Sequence, residues 1–306
     1  MWQGSGTKMI DVQPGRYVVA VSGGVDSVVL LHLLYVQYSG LDGYHFVVAH
    51  YDHGIRQDSK EDRRLVQHLA NLYNMPFVYD EGHLGSQASE ATAREARYTF
   101  LRTVKKTCGA DAIMTAHHQD DVIETAFLNL LRGTGRKGLT SLRSSDDVLR
   151  PLLHVSKQDI IVYAQNNRLT WREDSTNTDL RYKRNYIRHQ VVNKLSDKQR
   201  EELLVRITKM HKLNQEIDRI LDSYLNIQLR ADVLHRKSFT QLPHDIAKES
   251  VAAWLRKHQV RDFDTKGLER IVVAAKTYQS GQQIDVNKDW IIRVEKDTLA
   301  LKHRDR

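Results

Sequence analysis

Four short runs rich in β-branched and aromatic residues recur through the first half of the chain, each followed by a segment with helical patterning. The runs are RYVVAVS (16–22), HFVVAHYD (45–52), PFVYD (76–80) and DAIMTAHH (111–118). The intervening segments are DSVVLLHLLYVQYS (26–39), SKEDRRLVQHLANLYN (59–74), SEATAREARYTFLRTVKKT (89–107) and DDVIETAFLNLLR (120–132). Strands this apolar, alternating with helices, imply a buried parallel sheet with right-handed crossovers. The expected fold class is α/β, a parallel twisted sheet with helices on both faces. The last three helices open at Ser59, Ser89 and Asp120, residue types that suit N-caps. Ligands of such sheets bind beyond the carboxyl ends of the strands. VSGGVDS, AHYDHGIR and TAHHQDD all fall there.

Past about residue 150 the pattern changes. RPLLHV precedes a helix at 156–169, a basic stretch follows, and 197–230 reads as one or two long helices. Leu203, Ile207, Met210, Leu213, Ile217, Ile220 and Leu221 keep helical spacing there. The remainder holds two amphipathic segments and a β-hairpin turning near Asn287–Asp289. The division expected is residues 1–196 as the main domain, 197–230 as a helical connector and 231–306 as a small α+β domain.

With 41% hydrophobic and 27% charged residues, the 306-residue chain reads as a soluble globular protein. No apolar run approaches the ~18 residues a membrane helix needs. MWQGSGTKMIDVQPG carries no apolar leader, so a cytoplasmic location is the default expectation. Cys108 is the single cysteine, which excludes an internal disulfide and any cysteine-based zinc or iron–sulfur site. Net charge is +8, and it is clustered. Arg132–Arg143 carries four basic residues and no acid, and Arg181–Lys194 carries five and no acid. Basic runs with interleaved Tyr and His suit a nucleic-acid backbone, and also an ordinary solvated face.

VSGGVDS follows a strand and opens a helix. Gly23 and Gly24 permit positive φ and a close ligand approach, and the following helix start favours anions. No Lys completes a G-x-x-x-x-G-K-[ST] loop. Asp26 beside phosphates calls for a divalent cation between them; the alternative is a tight turn with Asp26 and Ser27 as caps. On the helix at 93–104, Arg97 falls inside the apolar stripe of Ala93, Ala96, Phe100, Leu101 and Val104, so it needs an anionic partner or ligand. Asp121 and Glu124 share one face of the next helix, apart from a stripe of Ile123, Phe127, Leu130 and Leu131. Such a pair suits a lysine ammonium, a magnesium ion or simple helix-start stabilisation. His50, His53, His117 and His118 lack zinc-site spacing; His117 is read as a nucleotide contact or proton carrier. GTGRKG (Gly133–Gly138) follows a helix rather than a strand, so it fails as a dinucleotide fingerprint and reads as a basic loop near RNA.

At Ser22, Gly23, Gly24, Asp26 and Ser27 the loop resembles the pyrophosphate loop of the ATP pyrophosphatase superfamily. The ordered series DHGIR (52–56), AREARYTFL (93–101), AHHQDDVIET (116–125), LLRGTGRKGL (130–139), RPLL (150–153), EDSTN (173–177) and RNYIR (184–188) is similar to the tRNA(Ile)-lysidine synthetase family. The likeness covers residues 15–190; the C-terminal part is similar only in length and pattern to shorter members. Tyr51 replaces a usual aliphatic residue, and RHQVVNKL lacks the proline that often follows.

The resemblance implies an AMP-forming ligase that uses ATP and Mg²⁺ to join free L-lysine to C2 of the wobble cytidine of a CAU-anticodon isoleucine tRNA. It implies Val21, Ser22, Gly23, Gly24, Val25, Asp26, Ser27 and Asp52 around ATP, with Asp26 linked to Mg²⁺ through phosphates. It implies Asp26, Arg97, His117, Asp121 and Glu124 as catalytic groups, with Asp121 and Glu124 on lysine or metal. Arg132, Arg136, Lys137, Arg184, Asn185 and Arg188 would contact tRNA, the first domain would be catalytic, the last would select tRNA, and a homodimer is allowed. Rival readings are a tRNA-thiolating relative, which generally needs paired cysteines, a small-molecule amidating ligase, and a non-catalytic RNA-binding module.

Overall fold

The computed structural model describes residues 10–54, 59–82, 89–173, 183–230, 233–260 and 263–304. Parts of three motifs therefore lie outside the described residues: Ile55 and Arg56 of DHGIR, Asp174–Asn177 of EDSTN, and Arg181 of the second basic stretch. By internal packing the chain divides into two units, one holding residues up to Arg132 with Thr140–Val205, the other Gly133–Leu139 with Arg206 onward.

In the first unit the elements run β1 (Gly15–Ala20), α1 (Val25–Tyr38), β2 (Tyr44–Asp52), α2 (Ser59–Leu72), β3 (Phe77–Glu81), α3 (Glu90–Thr107), β4 (Ala112–Met114) and α4 (Gln119–Leu131). The short α5 (Arg136–Leu139) belongs to the second unit; β5 (Val148–Leu149), α6 (Lys157–Asn166) and α7 (Lys183–Gln190) complete the first. The strands form one parallel sheet in the order β3-β2-β1-β4-β5. Alternate β1 residues face opposite cores. Tyr17 and Val19 pack with α1, α2 and α6, while Val18 packs with Leu101 and Val104 of α3 and Ile113 of β4. This two-sided burial is why the strands are apolar throughout. α1 carries seven buried aliphatic or aromatic residues and packs against α6. The strand order reverses between β1 and β4, so the ligand crevice expected of such sheets lies beyond those two strands.

The fold agrees with the expected class, with local differences. β5 is a fifth strand of two residues, too short to leave a pattern in sequence. Ser89 caps α3, accepting from the Thr92 N–H at 3.1 Å. α4 is instead capped at His118, whose N–H donates to Asp121 Oδ2 at 3.0 Å. The buried face of α4 is Asp120, Asp121, Ile123, Glu124 and Leu128, whereas Leu130 and Leu131 are exposed. The acids thus share the buried face rather than standing apart from it, because basic side chains from α7 and from the start of α8 (Asp197–Gln228) cover them.

α8 is one continuous helix of 32 residues. Of its apolar positions, Leu221 is buried, while Met210, Leu213, Ile217 and Ile220 are exposed. There follow β6 (Leu229–Arg230), β7 (Val233–His235), α9 (Arg236–Thr240), α10 (His244–Lys257), α11 (Thr265–Thr277), β8 (Gln283–Asp285), β9 (Trp290–Val294) and β10 (Thr298–His303). The expected hairpin is the β8–β9 part of a five-stranded antiparallel sheet, ordered β6-β7-β10-β9-β8. Trp254, Phe239, Val251, Ile271 and Leu299 fill the core between this sheet and its helices. Trp254 is wholly buried, uncommon for so large a side chain. Trp254→Ala is expected to cost about 3–5 kcal/mol, read as a lower urea midpoint at unchanged slope; a loss below about 1 kcal/mol would contradict this core.

Candidate active site

The loop after β1 is organised by one buried hydroxyl. Ser27 Oγ accepts from the Ser22 and Gly23 N–H groups, both at 3.2 Å, and donates to the Gly24 carbonyl at 2.9 Å. Gly23 has φ +96°, a conformation that only glycine adopts cheaply. Gly24 is the N-cap of α1 and supplies no side-chain cap. The first N–H groups of α1 lack intrahelical partners, so a negative ligand is the natural recipient there. The loop is braced from behind: the Arg172 N–H donates to the Gly23 carbonyl at 3.0 Å, and Arg172 Nε donates to buried Asp62 at 2.7 Å. Arg172 also pairs with Glu61. Val21 and Val25 flank the loop, and the Val21 carbonyl meets His50 Nδ1 at 2.9 Å. Burial pushes the His50 imidazole below its ordinary value, which favours its neutral form.

Asp26 projects from the first turn of α1. Its Oδ1 lies 2.5 Å from Lys157 Nζ and 3.8 Å from His118 Nε2. Across the crevice, the Asp121 carboxylate is 3.5 Å from His118 Nε2 and 3.5 Å from Arg188. Burial opposes its ionisation. His118, the His118 N–H and Arg188 outweigh that and hold it below the usual carboxylate range. Glu124 is wholly buried, and Arg188 grips it through two contacts of 2.6 and 3.0 Å. Arg184 stands 3.6 Å from the same carboxylate and donates to Thr125 at 3.1 Å. Burial raises the Glu124 carboxyl despite these cations. Arg200 likewise pairs with buried Asp120 at 2.6 Å.

His117 bonds Thr115 Oγ1 through Nδ1 at 2.8 Å. Burial, with Arg150, Arg97 and Arg94 nearby, drives its pKa down to about 3. It is neutral throughout the physiological range. Its folded value lies below the unfolded one, so the stability it contributes is present above about pH 6.5 and is lost as pH falls from there towards 3. Arg97 is half-buried on α3, its guanidinium carbon 5.5 Å from the Tyr98 ring centroid, beside Arg94 at 4.8 Å. Asp52 is buried at the end of β2 and accepts the Gly54 N–H at 2.8 Å.

The crevice gathers Asp26, His117, His118 and Asp121 with the loop backbone. Other candidates are engaged elsewhere. Arg188 and Arg184 pair with the α4 acids. Arg136 lies in the second unit, paired with Asp218 at 2.7 Å and Glu249 at 3.0 Å and donating to Asn214; Lys137 meets Asp218 at 2.9 Å. These pairings bind α5 to α8 and α10 of that unit. Arg132 is exposed and Asn185 half-buried. Lys157 and Arg172 carry no mark in the sequence. Their partners lie 131 and 110 positions away, a separation no local pattern reveals.

Residues 5–195 match the PP-loop domain family. The chain belongs to the PP-loop family. The match is to an ATP-binding PP-loop domain. Curated relatives are named tRNA(Ile)-lysidine synthase. That of Idiomarina loihiensis is 32% identical over 296 residues, 91% of this chain and 65% of its own length. Those of Thermotoga maritima and Geobacter sulfurreducens are 38% and 40% identical over 59% of this chain, and 45% and 40% of their own lengths. The chain thus spans less than two-thirds of these relatives. A solved U34-tRNA thiolase from Methanococcus maripaludis, described with its [4Fe-4S] cluster, aligns with a TM-score of 0.52 at 14% identity over 65% of this chain and 73% of its own. That likeness concerns the PP-loop fold. No helix among the described residues is long and apolar enough to cross a membrane.

The Glu124–Arg188 pair yields a stability prediction. Removing one partner of a buried pair costs about 3–5 kcal/mol. In Arg188→Ala the Glu124 carboxyl should rise further above its unfolded value, and a raised carboxyl loses stability as pH climbs through the interval between the two. The melting-temperature loss should therefore be larger at pH 8 than at pH 5. An equal loss at both would contradict the buried-charge account.

Proposed function

We propose that this PP-loop protein ligates free L-lysine to C2 of the wobble cytidine in a CAU-anticodon isoleucine tRNA. The observation that carries the reading is the crevice itself, an anion-binding loop facing an ionised carboxylate, in a chain whose curated relatives bear that name. In the first step the cytidine C2 oxygen attacks the α-phosphorus of ATP, the bond to the β-phosphate oxygen breaks, and pyrophosphate leaves. In the second, the neutral ε-amine attacks C2, the C–O bond breaks, AMP departs and the nitrogen gives up a proton. The N–H groups of Val25, Asp26 and Ser27, at the start of α1, receive the pyrophosphate charge. Asp121, held ionised, takes the lysine amine and its proton. Glu124 acts through Arg188, fixing α7 beside the crevice. Arg97 steadies phosphate charge, and neutral His117 is a nucleotide contact rather than a cation.

No group of three His, Cys, Asp or Glu among the described residues could enclose a metal. A lone carboxylate beside a phosphate loop nevertheless suits Mg²⁺, which takes most of its ligands from phosphates and water. Asp26 would hold the ion, and it would neutralise charge on the departing pyrophosphate. The net charge of +8 supports a tRNA partner, with exposed Arg132 available to its backbone. An anticodon base is single-stranded and can enter a pocket without melting a duplex. Thiolation is not favoured: the single cysteine, Cys108, sits at the C-cap of α3 and donates its thiol to the Val104 carbonyl.

Labelled lysine offered with ATP and tRNA transcripts tests the reading. Incorporation is expected with the CAU-anticodon isoleucine transcript, not with one carrying a uridine at the wobble position, and Asp121→Asn should slow it roughly 10²–10³-fold. No incorporation into the isoleucine transcript would overturn the proposal.

A further inference from the structure

The PP-loop has no lysine of its own, yet a lysine stands on it. Lys157 is the first residue of α6, and its Nζ lies 2.5 Å from Asp26 Oδ1. The position is built rather than incidental. Ser156 caps α6, accepting from the Asp159 N–H at 3.0 Å. The segment before it is tied to the start of α4, the Gln119 N–H donating to the Val155 carbonyl at 3.1 Å and Gln119 Nε2 to the His154 carbonyl at 2.9 Å. α6 also packs along α1, the helix that carries the loop and Asp26.

Both members of the pair are about one-third exposed, Lys157 at 34% and Asp26 at 30%. Such pairs add little to stability, so holding the fold together is a poor reason for this one. Electrostatics supplies a better reason. Asp26 places a negative charge beside a backbone made for anions and would repel an entering phosphate. The Lys157 ammonium cancels that charge without a ligand, and its four-carbon stem lets it turn.

We propose that Lys157 binds the β- and γ-phosphates of ATP, and then the pyrophosphate, supplying from α6 the cation that the loop lacks in sequence. When ATP enters, the ammonium swings from Asp26 to the terminal phosphates and frees the carboxylate for a divalent cation. The inference rests on the loop being the nucleotide site, and not on the identity of the RNA or amine.

Equilibrium binding of ATP, pyrophosphate and AMP to the full chain, wild type, Lys157→Ala, Lys157→Gln and Lys157→Arg, tests it by calorimetry with no RNA or lysine present. Loss of a charge-assisted contact should weaken ATP and pyrophosphate about 10- to 100-fold in the Ala and Gln variants. AMP, which lacks the terminal phosphates, should bind as in wild type, and Lys157→Arg should recover part of the loss. Unchanged ATP affinity in Lys157→Gln would overturn the inference. So would a parallel fall for ATP and AMP, since that marks a structural defect. If wild type itself fails to bind ATP, the nucleotide-site reading falls, and this inference with it.

Discussion

A parallel sheet buried on both faces leaves one place for polar chemistry, the edge where its strands end. Here β1 and β4 lie at the reversal of strand order, and the loops that leave them meet across one crevice. The groups that line the crevice are positioned by that constraint. The loop after β1 folds around Ser27 Oγ, α1 points its first turn into the crevice, and α4 begins opposite it. The helices that cover the sheet then supply side chains inward. α6 brings Lys157 to Asp26, and α7 brings Arg188 to Glu124 and Asp121.

Charge in the crevice is distributed so that the two acids facing each other differ in role. Asp26 is partly exposed and paired with the Lys157 ammonium. Asp121 is nearly buried, yet it is kept ionised by His118, the helix-start N–H and Arg188. Glu124, one turn on, is committed to Arg188 and has no access to solvent. The Asp121–Glu124 pair thus resolves into one carboxylate able to meet an amine and one that fixes the wall behind it. His117 follows the same logic in reverse, since burial among three arginines removes its capacity to act as an acid near neutral pH.

Much of this was legible from sequence because it is local. The apolar strand runs, the SGGVDS loop at a strand end and the capping serine of α3 all depend on neighbours within a few positions. The illegible parts are pairings between distant segments. Arg188 and Glu124 were each singled out, yet with separate roles, since nothing local says that a basic helix will fold over an acidic one. Arg136 read as part of an exposed basic loop, but Asp218 and Glu249 enclose it. Leu130 and Leu131 kept the spacing of a core stripe and are exposed, because ion pairs cover the other side of α4. Lys157 carried no signal beyond a serine before it. The two-residue β5 is held by register with β4 rather than by its own propensity.

If this loop receives the pyrophosphate of an ATP used to activate a base in RNA, exchange of labelled pyrophosphate into ATP reads that step directly. The account predicts exchange that requires the isoleucine tRNA transcript and disappears in Asp26→Asn. Exchange at the same rate with RNA withheld would contradict it, since the group being adenylated would then not be the RNA.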